Sequence, residues 1–209
     1  NLSGIDAILY YAPVIFAQVG FDGAYGPILA TVAIGVVNVI ATLIAMALID
    51  RLGRRPLLIG GLVPMAASLI VLAVVLANGQ GAAWSNIVAV ACLGLFVLAF
   101  GLSLGPLPYV LMSELFPLAL RGTGMGIASA TAWGVNVLVS LTFPVLVEAF
   151  GLALVLGFYG VISIAALLFV VALVPETRGR SLELIEANLA SGRPVRDLGL
   201  PLPANAQSG

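Results

Sequence analysis

The chain has 209 residues, of which 62% are apolar and only 8% charged, with a formal net charge of −1, and its mean hydropathy is +1.20. A soluble domain carries about 25% charged residues, so this composition excludes an ordinary water-soluble enzyme and a disordered chain and points to a polytopic membrane protein. With no His, a single Cys and no Lys, the chain offers no Ser–His or Cys–His catalysis, no His-ligated metal site, no intrachain disulfide and no basic surface for nucleic acid; neither a cofactor nor a metal is expected.

A spanning helix needs about 20 apolar residues. Six segments meet or approach this: Leu2–Val19, Tyr25–Ile49, Pro56–Leu76, Trp84–Met112, Thr123–Val147 and Leu152–Val174. The chain opens on Asn1 without a charged leader, which reads as a piece that begins inside something larger. Gly35, Gly94, Gly126, Gly134, Gly157 and Gly160 are expected to let neighbouring helices approach closely. Cys92 lies inside an apolar run and reads as a small core residue.

Arginine sets the expected orientation. Arg51, Arg54 and Arg55 follow the second segment, Arg121 the fourth, and Arg178, Arg180, Arg193 and Arg196 the sixth, whereas the intervening connections hold none. The positive-inside rule then puts these loops and the C-terminus in the cytoplasm of a cell whose plasma (inner) membrane holds the protein. After the sixth segment, Pro175 stops the helix, Ser181 is placed to cap a new one with Glu183 in its first turn, and Leu182, Ile185 and Leu189 form one apolar stripe. Residues 175–190 thus read as a cytosolic loop and short amphipathic helix, and 191–209 as a disordered tail.

Two segments carry helix breakers beside aromatic groups, at Tyr10–Pro13 and at Gly105–Tyr109. Each proline removes a backbone donor and frees a carbonyl one turn earlier, and freed groups inside a membrane need a partner or a water-lined cavity. These are the first and fourth of six segments, equivalent positions if the chain is two three-helix inverted repeats, and matched interruptions mark a transporter's binding site. Asn38 and Asn136 sit midway along the second and fifth segments, where each amide needs a hydrogen-bond partner, either a neighbouring helix or a polar solute. Asp6 shares a helix face with Ser3 and Tyr10; a carboxylate within a span costs about 2.5–3.5 kcal/mol unless it meets water or a partner. Glu114 and Arg121 bracket the inner end of the fourth segment, either as solvated anchors or as ion pairs that close the inner mouth in one conformation.

These residues resemble the C-terminal half, helices seven to twelve, of the sugar porter family of the major facilitator superfamily. The opening Asn1-Leu-Ser-Gly-Ile-Asp-Ala-Ile-Leu-Tyr-Tyr is similar to the family's seventh-helix Gln-Gln-x-Ser-Gly-x-Asn-x-x-x-Tyr-Tyr, and Asp50-Arg-Leu-Gly-Arg-Arg55 to its loop after helix eight. Gly105-Pro-Leu-Pro-Tyr with Ser113-Glu-Leu-Phe-Pro117 and Arg121 resembles helix ten, and Pro175-Glu-Thr-Arg-Gly-Arg180 the signature after helix twelve. The resemblance implies an all-α fold and a role for each matched residue. Asn1, Asp6, Asn38 and Asn136 stand at sugar-contacting positions, Tyr10 and Tyr11 near the outer gate, and Tyr109 where an aromatic ring packs on the sugar, with Trp133 close to Asn136. Asp50, Arg51, Arg54, Arg55, Glu114, Arg121, Glu176 and Arg178 match the cytoplasmic charge network. Asp6 departs from the family amide, Asn1 from the longer Gln, and Tyr109 from the usual Trp.

The expected function is therefore uptake of a monosaccharide or polyol by alternating access, as proton symporter or facilitator. The expected partners are that solute, protons, the lipid bilayer and an N-terminal six-helix half, which in the family usually holds the proton-coupling carboxylate. A sensor that binds sugar on the same fold without moving it is the alternative reading. An intramembrane enzyme is not expected, since no paired carboxylates, Cys cluster or phosphate-binding loop is present.

Overall fold

The computed structural model describes residues 1–18, 25–78, 83–118, 120–180, 184–185, 187–188, 191, 194 and 200. Its regular elements are helices: α1 (Ile5–Tyr10), α2 (Ala12–Gln18), α3 (Gly26–Leu52), α4 (Arg54–Asn78), α5 (Ala83–Leu102), α6 (Leu107–Leu115), α7 (Arg121–Phe150) and α8 (Leu152–Leu173). Five stretches are long and apolar enough to cross a membrane: Gly26–Leu52, Arg54–Asn78, Ile87–Leu115 (α5 and α6 together), Arg121–Phe150 and Leu152–Leu173. The expected first span differs. It is two helices of 6 and 7 residues, each too short to span alone.

The register of α1 and α2 explains this. The Asn1 side chain donates to the Ala132 carbonyl, Asn136 donates to the Asp6 carboxylate, and the Tyr11 ring stacks on Phe143 at 5.3 Å. Each step forward along α1–α2 thus meets a step forward along α7, so the two run parallel. Asn136 stands 15 positions after Arg121 and 14 before Phe150, about 22 and 21 Å from the two ends at 1.5 Å per residue. The stretch therefore starts beside the middle of α7 and follows it as far as Phe143, and α2 packs on α3.

α4 is the centre of the bundle, packed most extensively against α8 and α5, while α7 touches chiefly α8 and α1. Close packing on α4 depends on missing side chains. A Cβ on Gly160 would lie 2.7 Å from Ile70, and one on Gly61 would lie 1.9 Å from the Ser103 hydroxyl. Gly157 also meets α4, at Ala73. The sequence-based expectation of close approach fails at Gly35, Gly94, Gly126 and Gly134, whose built Cβ atoms meet nothing within 4 Å. Composition shows that a glycine is present, but only the packing shows which way it faces.

The helix break in the fourth stretch follows from Pro106. Its ring excludes the carbonyl four residues back, and α5 ends at that residue, Leu102. The Ser103 and Gly105 amides both turn to the Phe100 carbonyl, at 3.0 and 2.9 Å. The Ala99 carbonyl, which the Ser103 amide would otherwise bond, is taken by the Ser103 hydroxyl at 2.7 Å. Pro108 falls in the first turn of α6 and Pro13 in that of α2, where a missing N–H costs nothing. The breaks thus lie just before the prolines, at Tyr11 and at residues 103–106. Pro64 and Pro144 sit inside α4 and α7, which run through.

A single glycine joins α3 to α4 (Gly53, φ 92°) and α7 to α8 (Gly151, φ 81°), a left-handed conformation that other residues adopt only with strain. The Asp50–Arg55 segment expected as a loop is mostly helical: Asp50 and Arg51 end α3, and Arg54 and Arg55 begin α4. Ser181, Leu182, Glu183, Leu189 and most of the 191–209 tail lie outside the described residues; Ile185 and Asn188, on helical turns, are buried.

Candidate functional site

The expected binding residues fall into two groups. In the first, α1 and the middle of α7 bring Asn1, Asp6 and Asn136 together. Asn136 is buried, and its amide donates to a half-buried Asp6 carboxylate. Below this pair the rings of Tyr11, Phe143 and Tyr159 follow one another at 5.3 and 6.2 Å, each contact worth about 0.5–1.5 kcal/mol beyond burial. Tyr159 also lies under Gly4, where a Cβ would stand 2.8 Å from its ring. The aromatic stack sets the position of α1 against α7 and α8, and through it the position of Asp6.

The second group is Asn38 on α3, facing Gly101 on α5. A Cβ on Gly101 would lie 2.8 Å from the Asn38 side-chain oxygen and 3.0 Å from its carbonyl oxygen. That side-chain oxygen is buried without a hydrogen-bond partner. No hydrogen bond among the described residues joins Asn38 to Asp6 or Asn136. Tyr10, Tyr109 and Trp133 are all exposed. These side chains form parts of a polar and aromatic surface.

The charged residues converge at one end of the bundle, where α3, α6 and α8 finish and α4 and α7 begin. Arg54 is the hub. Its Nη2 meets Glu114 Oε1 at 2.6 Å, its Nε lies 3.2 and 3.3 Å from the two Glu114 oxygens, and its Nη1 meets Asp50 Oδ1 at 3.2 Å. The Arg54 side chain is 11% exposed and Glu114 20%, against 79% for Asp50, so the Arg54–Glu114 fork is the protected link and the Asp50 contact a solvated one. The Thr177 hydroxyl donates to Glu114 Oε2 at 2.6 Å. Glu176 holds the start of α4 from outside the helix: its two oxygens accept the backbone N–H groups of Arg54 and Arg55, both at 3.1 Å, and Oε1 also accepts from Arg178 N at 2.9 Å. Two otherwise unpaired helix donors and the positive end of the dipole are thereby satisfied. Under this cap and fork lies an apolar cluster of Ile49, Leu57, Leu58, Leu62, Leu107, Leu111 and Val170.

Four expected members of the network behave otherwise. Arg121 does not pair with Glu114; its Nε donates to the Phe116 carbonyl at the end of α6, at 3.4 Å. The Arg55 guanidinium donates to the Val171 carbonyl at 2.6 Å. Arg51 and Arg178 have exposed side chains, with Arg178 contributing its backbone to Glu176. Glu114 has its lone pairs committed to Arg54 and Thr177, which leaves Arg121 the nearer carbonyl.

Comparison with known proteins gives the family. The sequence profile of the sugar (and other) transporter family matches residues 1–189. The chain belongs to that family. That family is one of transporters and not of enzymes, and relatives of this chain are named as a transporter and a symporter. The galactose-proton symporter of Escherichia coli K12 is 39% identical over 199 residues, 95% of this chain and 43% of that protein. The glucose transporter GlcP of Staphylococcus epidermidis is 40% identical over 186 residues, 89% of this chain and 41% of that protein. Among solved structures, the major facilitator proton:xylose symporter XylE bound to 6-bromo-6-deoxy-D-glucose superposes with a TM-score of 0.79 at 37% identity, covering 90% of this chain and 40% of XylE. The chain spans about 40% of the length of these relatives.

Sequence reading gave no site role to four residues that the structure brings in. Thr177 was part of a quoted motif but carried no role, and it binds Glu114. Phe143 and Tyr159 looked like ordinary span residues, yet they form the stack under α1. Gly101 likewise carried no role, and its bare backbone is what lets Asn38 pack against α5. Only the Thr177 role left a sequence signal, its place beside Glu176.

Proposed function

We propose that the chain is the C-terminal six-helix half of a major facilitator carrier that moves a neutral sugar or polyol by alternating access. The observation that carries this is the Asp6–Asn136 pair at half the length of α7. A carboxylate and an amide are costly in a bilayer core and suit a polyhydroxy solute. Asn1, Tyr10, Tyr11, Asn38, Tyr109 and Trp133 extend this surface, and a second six-helix half completes the cavity over it. The helix breaks in the first and fourth stretches support two inverted three-helix repeats, with the site at their interface. The assignment to the C-terminal half rests on the order of the sequence motifs.

The Arg-bearing end faces the cytoplasm of the cell's inner membrane, with residues 175–190 as a cytosolic segment and 191–209 as a cytosolic tail. There Arg54, Glu114, Thr177, Glu176 and Asp50 form a latch that holds this end shut when the site opens outward, with Arg51, Arg55, Arg121 and Arg178 at its rim. Proton symport and facilitated diffusion are both compatible with it. The sensor reading finds no support, since the relatives are transporters by name.

The test begins with an immunoblot of native membranes against the C-terminal tail. A band near about twice the 21.4 kDa chain mass is expected, with this chain as the latter half on sequencing; an N-terminal position overturns the assignment. Saturable uptake of labelled hexose or polyol, lost on Asn136→Ala, then supports the carrier reading, and absence of any uptake refutes it.

A further inference from the structure

We infer that the cleft between α7 and α8 at their Gly151 end seats one acyl chain of a phospholipid, in the leaflet remote from the Arg-bearing end. This site stands apart from the solute surface, and only the placing of the second six-helix half, used below, rests on the carrier reading.

The cleft has a volume of about 270 Å³ and is lined by Leu146 and Phe150 of α7 and by Leu154, Val155 and Phe158 of α8. Val155 is buried, whereas Phe150, Leu154 and Phe158 are exposed, so Val155 is the floor and the mouth lies on the outer surface of the helix pair. All five residues lie within seven positions of Gly151, about 10 Å of helix at 1.5 Å per residue. One leaflet of a hydrocarbon core is about 15 Å deep, so the cleft falls within a single leaflet.

Its chemistry selects the occupant. Every lining side chain is apolar. The exposed Glu148 stands two positions from both Leu146 and Phe150, about 160° around α7 from each, so its charge points away. A sugar or a lipid headgroup seated here would leave its polar groups unpaired; a hydrocarbon chain has none. In lipid the gain is contact, since the wall atoms of an unfilled cleft lack partners. At about 30 Å³ per water-sized group, the cleft accepts about nine chain carbons. The remainder of the chain follows the exposed stripe of Leu154, Val161 and Leu168, spaced seven positions apart along α8. Phe158 also touches Tyr159, at 5.9 Å between ring centres, so a seated chain braces the aromatic stack that positions α1.

Two other occupants fit less well. The second six-helix half closes over the exposed α7 face that carries Trp133, Val137 and Leu141; Leu146 and Phe150 stand about 100–180° around the helix from these residues. A second copy of this chain would need an interface of about 20–30 residues a side, and the cleft offers five.

The test uses the whole native polypeptide in detergent, with phosphatidylcholine that carries a photoactivatable diazirine in one acyl chain. Crosslinked peptides are mapped by mass spectrometry as lipid is titrated in. Adducts are expected to saturate first on residues 146–158. They should fall several-fold in Leu154→Trp and in Val155→Trp, which fill the cleft, and persist in Leu168→Trp, on the same stripe outside it. Leu154→Trp changes an exposed residue and carries the test if Val155→Trp fails to fold. Unlabelled phosphatidylglycerol with the same chains should compete as well as phosphatidylcholine, and glycerophosphocholine, a headgroup without chains, should not compete. Adducts spread evenly over exposed apolar residues, or unchanged in Leu154→Trp, overturn the seat, as does competition by glycerophosphocholine. A dimer that Leu154→Trp dissolves puts a second copy in the cleft and also overturns it. Binding of labelled hexose or polyol, measured on the same wild-type sample, keeps the two readings apart: its absence counts against the carrier and leaves the lipid seat standing.

Discussion

Replacing Glu114 by Gln tests whether the Arg54 hub is a latch or merely a brace. The substitution keeps shape and one acceptor oxygen, so Thr177 and one guanidinium N–H retain a partner. It removes the charge that faces a guanidinium only 11% exposed and the second arm of a fork with contacts at 2.6, 3.2 and 3.3 Å. Removing one partner of a fully buried pair costs about 3–5 kcal/mol, and a hydrogen bond to a charged group about 1.5–3 kcal/mol. This pair is partly exposed, and Arg54 keeps Asp50 and the Ile49 carbonyl at 3.2 Å, so about 1.5–2 kcal/mol is expected. If the fork exists in one conformation alone, that figure is a shift of about 10- to 30-fold in the ratio of conformations, at 1.4 kcal/mol per decade. The assay is labelling of single cysteines placed at each mouth of the full-length protein, in a Cys92→Ala background. Labelling from the Arg-bearing side should rise and labelling from the other side fall. Unchanged labelling on both sides, with a lowered melting temperature, would show that the fork persists in every conformation and is structural.

Glu176→Gln should lower thermal stability by about 0.5–2 kcal/mol, the usual range for a lost helix cap, read as an earlier loss of monodisperse protein on heating in detergent; stability equal to wild type refutes the cap. Gly53→Ala should destabilise more than a typical exposed substitution, because φ is 92° and the new Cβ would lie 2.7 Å from Glu176 Oε2. Its effect should shrink when combined with Glu176→Ala, and strict additivity of the two would refute the contact. Gly101→Ala should force α3 and α5 apart at Asn38, at a cost of about 1–3 kcal/mol, and weaken solute binding, whereas Gly94→Ala, which meets nothing within 4 Å, should change neither on heating or in a binding titration.

The membrane class, the helical fold and the long spans were legible in the sequence, because in lipid a backbone satisfies itself only as a helix or a closed barrel and long apolar runs allow little else. Within the first expected span the structure has two short helices. Hydropathy shows that Leu2–Val19 is apolar, but only the pairing of Asp6 with Asn136 and Tyr11 with Phe143 shows that the stretch begins at half the depth of α7. Prolines were half legible. Pro13 and Pro106 lie beside breaks, while Pro64 and Pro144 sit inside helices that run through; at the second break the Ser103 hydroxyl donates to the Ala99 carbonyl, a local arrangement that the presence of a proline alone does not specify.

The charge network shows the same division. The sequence by itself determined which ions gather at one end, because insertion sorts Arg to one side of a membrane whatever the partners become. It also determined that Asp6 and Asn136 are costly in hydrocarbon and that each needs water, a partner or a solute. The tertiary structure decided the pairing: Glu114 with Arg54 and not Arg121, and Glu176 on the first amides of α4. The reason is geometric. A hydrogen bond is made or lost within a few tenths of an ångström, while sequence position limits a side chain only to a helix end, and the choice among partners there falls to how α4, α6 and the segment after α8 pack.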